Sequence, residues 1–236
     1  MMMNIKFIVV VLLVLYVIYL IYAKVFMDNS FTTIADAKIE QTISAEDMDS
    51  ESSDANFTYS VWFNVNDWGY KYGDPKIVLG RVGKSITEQP QFGIVLGAMQ
   101  NELIINIDTY ADSNKSKSTN HVCNIQNVPL QKWVHCLVSV YNKTMDVYID
   151  GKLVRTSILP GVAKIDNNTD LLVTPSGGFA GYTSRVSYYS NATNPEEAYN
   201  IYSNGYGSSY FAGSIPTYSL KVSVLNDNKN LASIQI

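Results

Sequence analysis

Few residues of this chain have the types and spacing needed for chemistry. It has two histidines, His121 and His135, and two cysteines, Cys123 and Cys136. A nucleophile needs a base beside it and a third group to orient that base. No serine, histidine and aspartate set of that kind stands out. His135 falls in an apolar run with Trp133, pointing away from Val134, Cys136 and Val138, and reads as structural. Two cysteines and two histidines without close pairs do not make a zinc site. Asp47-x-Asp49-x-Glu51 resembles the spaced carboxylates that cleave glycosidic bonds. Its setting is serine-rich, SAEDMDSESSD over 44–54, where a solvated spacer is the better reading. The expectation is a protein with no catalytic residues, no metal and no cofactor.

The binding candidates are aromatic. Trp68, Tyr70 and Tyr72 lie on one loop, Asn66 to Pro75, marked by its Gly, Pro and Asp content. Sugars stack on such rings while Asn or Asp holds the hydroxyls, and protein partners use the same rings as anchors. The competing reading makes Trp68 a cap on the end of the core. Asp67, Asp74 and Asp108 show no ordered calcium-ligand pattern. Seventeen tyrosines with abundant Asn and Ser suit a binding face. A net charge of −4 excludes a basic nucleic-acid groove.

These residues must be held by the rest of the chain, which divides in three. Residues 1–27 carry the run Phe7 to Ala23, uncharged between Lys6 and Lys24. It is at the short end for a membrane-spanning helix, with Val25-Phe26-Met27 extending it. Tyr16, Tyr19 and Tyr22 recur every third residue, as an interfacial belt would. A cleaved signal would have a shorter apolar run and a better site than Ile21-Tyr22-Ala23. An uncleaved single-pass anchor in a lipid bilayer is therefore expected. Residues 28–54 form a connector with eight acids and one lysine, with an edge strand admissible over 33–43. Residues 55–236 carry the folded body.

Within that body the clearest signal is KWVHCLVSVYNKTMDVYIDGKLVRT, residues 132–156. It reads as three strands joined by turns at Asn142-Lys143-Thr144 and Asp150-Gly151. The second turn suits a two-residue type I′ hairpin. Met145, Val147 and Ile149 alternate against Asp146, Tyr148 and Asp150, the period of a half-buried strand. Tyr59, Val61, Phe63 and Val65 alternate with Ser60, Trp62 and Asn64 in the same way. Ala111 to Asn120 reads as a polar loop. If Val122–Ile125 and the Trp133 strand formed a hairpin about Pro129, Cys123 would face Cys136, and a disulfide would be geometrically allowed. Compartment then decides between bridged and free thiols. One soluble helix is marked by Asn194 as cap, Pro195 in the first turn, Glu196 and Glu197 at its positive end, and Gly205 after it. Sequons at Asn56, Asn114, Asn142, Asn167 and Asn191 are weak pointers to a secretory route.

The central segment resembles the middle of a laminin-G-type domain of the concanavalin A-like lectin/glucanase superfamily. FTYSVWF, residues 57–63, is similar to that family's opening strand. GGFAG, residues 177–181, is similar to its late strand, and NPEE, residues 194–197, to its closing helix. The resemblance covers about residues 55–205. It implies an all-β fold, an antiparallel β-sandwich of the jelly-roll type, behind the N-terminal transmembrane helix. The family's glucanase carboxylates have no match on a strand, which agrees with a non-enzymatic module. The same motifs resemble laminin-G-like proteins of large DNA viruses. That likeness implies a tether from a membrane to a capsid-like lattice, in a minor capsid or virion membrane protein. The alternative is a lectin-like surface protein that binds glycans.

Overall fold

The Asp150-Gly151 hairpin forms as its sequence requires. Both residues take positive φ, 49° and 72°, and Lys152 pairs with Ile149 across them. The computed structural model describes residues 11–19, 30–48, 56–81, 91–111, 114–166, 168–207, 221–226 and 229–235. In chain order these form helix α1 (11–19) and strands β1 (Ala35–Asp36), β2 (Gln41–Ile43), β3 (Phe57–Asp67), β4 (Lys76–Arg81) and β5 (Phe92–Leu96). There follow β6 (Glu102–Ala111), β7 (Asn114–Gln126), β8 (Trp133–Tyr141), β9 (Thr144–Ile149), β10 (Lys152–Ile158) and β11 (Leu171–Val173). The chain continues with β12 (Ala180–Tyr189), α2 (Pro195–Ser203), β13 (Lys221–Asn226) and β14 (Lys229–Gln235).

Twelve of these strands make two six-stranded antiparallel sheets. One runs β1-β12-β3-β8-β9-β10 and the other β2-β11-β4-β5-β6-β7, while β13 and β14 pair as a separate hairpin. The core lies between the sheets, where Tyr59, Val61, Phe63 and Val65 of β3 meet Phe92, Ile94 and Leu96 of β5. Inside it, Arg81 Nη1 donates to Tyr59 Oη at 3.0 Å, and the Tyr59 ring stacks on Phe92 at 4.4 Å. Burial holds the Tyr59 phenol well above its usual range, with the Arg81 charge opposing. Changing Tyr59 to Phe removes a buried acceptor from a guanidinium. It is expected to cost about 1–3 kcal/mol, read from the urea midpoint.

The second face of β3 is also buried, where a single core face was expected. Thr58, Ser60 and Trp62 are all at most 6% exposed. Helix α2 and the residues after it cover that side, with Ala198 and Ile201 packed on Leu137 and Tyr148. The helix starts as its sequence requires. Asn194 Oδ1 accepts from Glu197 N, and Glu197 Oε2 accepts from Asn194 N. Gly205, at φ 73°, follows its last turn.

Three expectations meet different outcomes. The stretch read as a polar loop at 111–120 is mostly ladder: β6 and β7 form a long hairpin in which Thr109 faces Thr119. Ser118 and Thr119 are exposed there, as suits an edge strand that faces water. The hairpin about Pro129 does not form. β7 pairs with β6 in one sheet, and β8 sits between β3 and β9 in the other. Cys123 and Cys136 are therefore free buried thiols rather than partners. Cys123 Sγ instead accepts from Ser157 Oγ at 3.6 Å, and burial, with Cys123 second, pushes the Cys136 thiol far up.

The connector and the N-terminus complete the comparison. β1 and β2 form edge strands on opposite sheets, and Met48 is in the core at 3% exposure. Ala45–Asp47 is a 3₁₀ turn whose first N–H is held by Asp170 Oδ1 at 2.9 Å. At the N-terminus, α1 presents exposed apolar side chains, with Tyr16 and Tyr19 61% and 57% exposed. Nine residues rise about 14 Å against a hydrocarbon core of about 30 Å. No helix among the described residues is long and apolar enough to cross a membrane. Phe7, Tyr22 and Ala23 lie outside the described residues.

Candidate functional site

Three places bring polar and aromatic side chains together. The first is the outer face of β3 and β8. His135 Nε2 lies 2.8 Å from Ser60 Oγ, the only serine–histidine contact of this kind among the described residues. Nδ1 has no partner among the described residues, and Asp150 Oδ1 accepts from the His135 backbone N–H rather than from the ring. The imidazole is fully buried. Trp62 and Tyr202 sit over it, with centroids 5.0 and 5.9 Å away, and Tyr206 stacks on Trp133 at 4.5 Å. Burial, then the charge of Arg185, pushes the imidazole pKa down to about 3. Its burial closes the pair to substrate, and among the described residues no third group orients the base. The pair holds the helix-covered face together.

The second place is the loop after β3. Trp68 is half-buried against the core, as its capping reading requires, and Lys76 Nζ sits 5.0 Å above its ring. Burial, then Lys71, holds the Lys76 amine below its usual range, with Asp74 opposing. Tyr70 Oη donates to Gly177 O at 3.2 Å, and Lys38 Nζ covers its ring at 4.9 Å. Of the three aromatics only Tyr72 is well exposed, at 64%. The loop therefore ties the end of the sandwich to the Pro175–Gly177 turn and presents a single free ring. The nearby carboxylates do not converge. Asp67 Oδ1 accepts from Gly69 N, and Asp108 Oδ1 from Asn120 Nδ2. No cluster of three or more metal-ligating side chains occurs among the described residues.

The third place was not singled out by the sequence reading. A groove of about 760 Å³ runs between Ser30 and Phe31, Asp47, the end of β12 and helix α2. Phe31, Tyr188 and Tyr189 form its aromatic part, and Asn191, Glu197, Asn200 and Asn204 line the rest. The groove is built by α2. Its capping box fixes Asn194 and Glu197, and Thr193 N donates to Ser139 Oγ at 2.8 Å, which clamps the β12–α2 turn onto β8. The one signal in the sequence was the density of Tyr and Asn over 188–204, of which Tyr188, Tyr189, Asn191, Asn200 and Asn204 reach the groove. Amides and a carboxylate beside tyrosine rings can hold several hydroxyls at once and stack an apolar sugar face.

Comparison with known proteins agrees with this geometry at the level of fold. No curated protein matches the chain. Among solved structures, a mutant of HCR/D superposes with a TM-score of 0.52 at 10% identity, over 72% of this chain and 42% of that one. The binding domain of botulinum neurotoxin serotype D/C VPI 5993 gives 0.46 at 15% identity, over 64% and 37%. The receptor binding domain of botulinum neurotoxin D gives 0.47 at 10% identity, over 63% and 37%. The chain spans roughly two-fifths of the length of these structures. A laminin-G-type family model, described as the concanavalin A-like lectin/glucanases superfamily, matches residues 38–198, well over half of the sequence. With that match and its two stacked antiparallel sheets, the chain belongs to the concanavalin A-like lectin/glucanases superfamily.

Proposed function

We propose that this protein is a membrane-anchored, non-catalytic binding module that holds a neutral glycan in the groove beside α2. The observation that carries the reading is the groove itself. Tyrosine rings, three exposed asparagines and one exposed glutamate line a volume of about 760 Å³, the size of a small-ligand site. Neutral sugars need that mixture of hydrogen-bonding amides and apolar ring surface. The anchor is supported by the uncharged run between Lys6 and Lys24 and by the outward apolar side chains of α1. The absence of a reaction is supported by the closure of the Ser60–His135 pair.

The test is a glycan array with the full chain in detergent micelles, followed by titration of any hit. Sugar-competed binding is expected, and Asn200→Ala combined with Asn204→Ala should weaken it at least tenfold. Binding that ignores those changes but vanishes on altering Trp68, Tyr70 and Tyr72 together moves the site to the β3–β4 loop. Capture of structural proteins with no sugar competition supports the membrane-to-lattice tether instead.

A further inference from the structure

Strand β10 is an edge whose charged positions, Lys152 and Arg155, leave Thr156 to Ile158 uncharged. It closes its sheet, with β9 on one side and no strand on the other among the described residues. Leu153, Val154 and Ile158 are 48%, 45% and 80% exposed. Native edges are normally blunted by charge, proline, shortness or a covering segment, because unpaired backbone groups beside apolar side chains recruit another strand. A bulge interrupts the β9 ladder at Val154, but the run from Arg155 to Ile158 is regular. Between β10 and the facing edge strand β7 lies an open cleft of about 620 Å³, lined in part by Val122, Ile125 and Val154.

The same chain holds a two-stranded sheet joined to no third strand among the described residues. Among the described residues β13 and β14 pair with each other alone, in a register that sets Val222 opposite Ile234 and Val224 opposite Ala232. A single two-stranded hairpin is marginally stable in water and needs a third strand or a packed face. β14 has seven residues, as has β10. The other free edge of that sheet, β1, has two.

We infer that the β13–β14 hairpin of the same chain docks on the β10 edge and extends that sheet. The connection is long enough. Gly207 is fixed beside β12, its carbonyl accepting from Arg185 Nη1 at 2.9 Å. From β12 to β10 is four strand spacings, about 19 Å. The stretch 208–220 can span up to about 43 Å. A tethered hairpin also meets its own edge at an effective concentration near the millimolar range, well above that of a second molecule in dilute solution. Same-chain docking therefore outcompetes exchange between copies.

Amide hydrogen exchange on the full chain in micelles tests this, because outward amides of β10 are protected only if a strand covers them. Val224→Asp with Ile234→Asp should free the hairpin and speed exchange across Lys152–Ile158 at least tenfold, leaving β3 and β8 unchanged. The reciprocal change Ile158→Asp should speed exchange across Lys221–Gln235 by a similar factor. Unchanged β10 exchange in the hairpin variant overturns the proposal. So does loosening of β3 and β8 along with β10, which would place the hairpin in the core. Protection of β10 that disappears on hundredfold dilution, together with loss of a dimer mass, makes a second copy the occupant and overturns same-chain docking.

Discussion

Gly181→Ala is expected to cost about 3 kcal/mol or more, a large share of the roughly 5–15 kcal/mol that holds a domain folded. An added Cβ would lie 1.9 Å from the Asn64 carbonyl oxygen and 3.0 Å from the Phe179 ring. Both obstacles are firm. The first is backbone in the centre of a sheet, and the second is a fully buried ring in the core. β12 and β3 are already irregular here, with a register shift between Ala180 and Gly181. To admit a methyl group the two strands would have to part at the Gly181–Val65 pair, close to the end of their ladder. Gly73 is the control. No atom lies within 4 Å of its added Cβ, so Gly73→Ala meets only the cost of its φ of 93°, about 1 kcal/mol. Urea denaturation of the two variants separates the cases. Equal midpoints would mean that the β12–β3 contact yields far more easily than its geometry indicates.

The second large effect is a loss of stability in acid that traces to His135. Its imidazole is neutral in the fold, with a pKa of about 3 against 6.5 for a free side chain. Between those values the unfolded chain takes up a proton that the folded chain refuses. Stability from this group is complete above about pH 6.5 and declines as pH falls, by up to about 1.4 kcal/mol per pH unit. Carboxylates add their own dependence, so the readout is a difference. The unfolding free energy of the native chain should fall more steeply between pH 6 and 4 than that of His135→Gln, by close to one proton. Gln has an intrinsic cost of its own, but that cost does not vary with pH. Parallel slopes would show that water or a moving α2 already admits the proton.

Much of the frame was readable in the residues. The Asp150-Gly151 hairpin, the alternation in β3 and β9, and the cap and first turn of α2 are local signals, and each formed as its chemistry required. The misread pieces were long-range. Nothing local to Val122–Ile125 says whether it turns back onto β8 or crosses to the other sheet, so the cysteine pairing failed with the hairpin that implied it. Residues 111–120 looked like a loop because edge strands carry the same polar side chains that loops do.

The site shows the same division more sharply. Aromatic loop residues caught attention at Trp68, Tyr70 and Tyr72, yet Lys76, Gly177 and Lys38 occupy two of those rings in the fold. The groove has no local signature, because its walls come from Asp47, the end of β12 and α2, and Asp47 lies about 140 residues before the end of β12. By itself the sequence determined the superfamily, the strand order of the central hairpins and the capped helix, since those depend on periodicity and turn chemistry within a few residues. Only the tertiary structure decided which faces are covered, which thiols meet and where a concave surface opens. Those properties arise from which distant strands share a sheet, and side-chain period alone does not encode that choice.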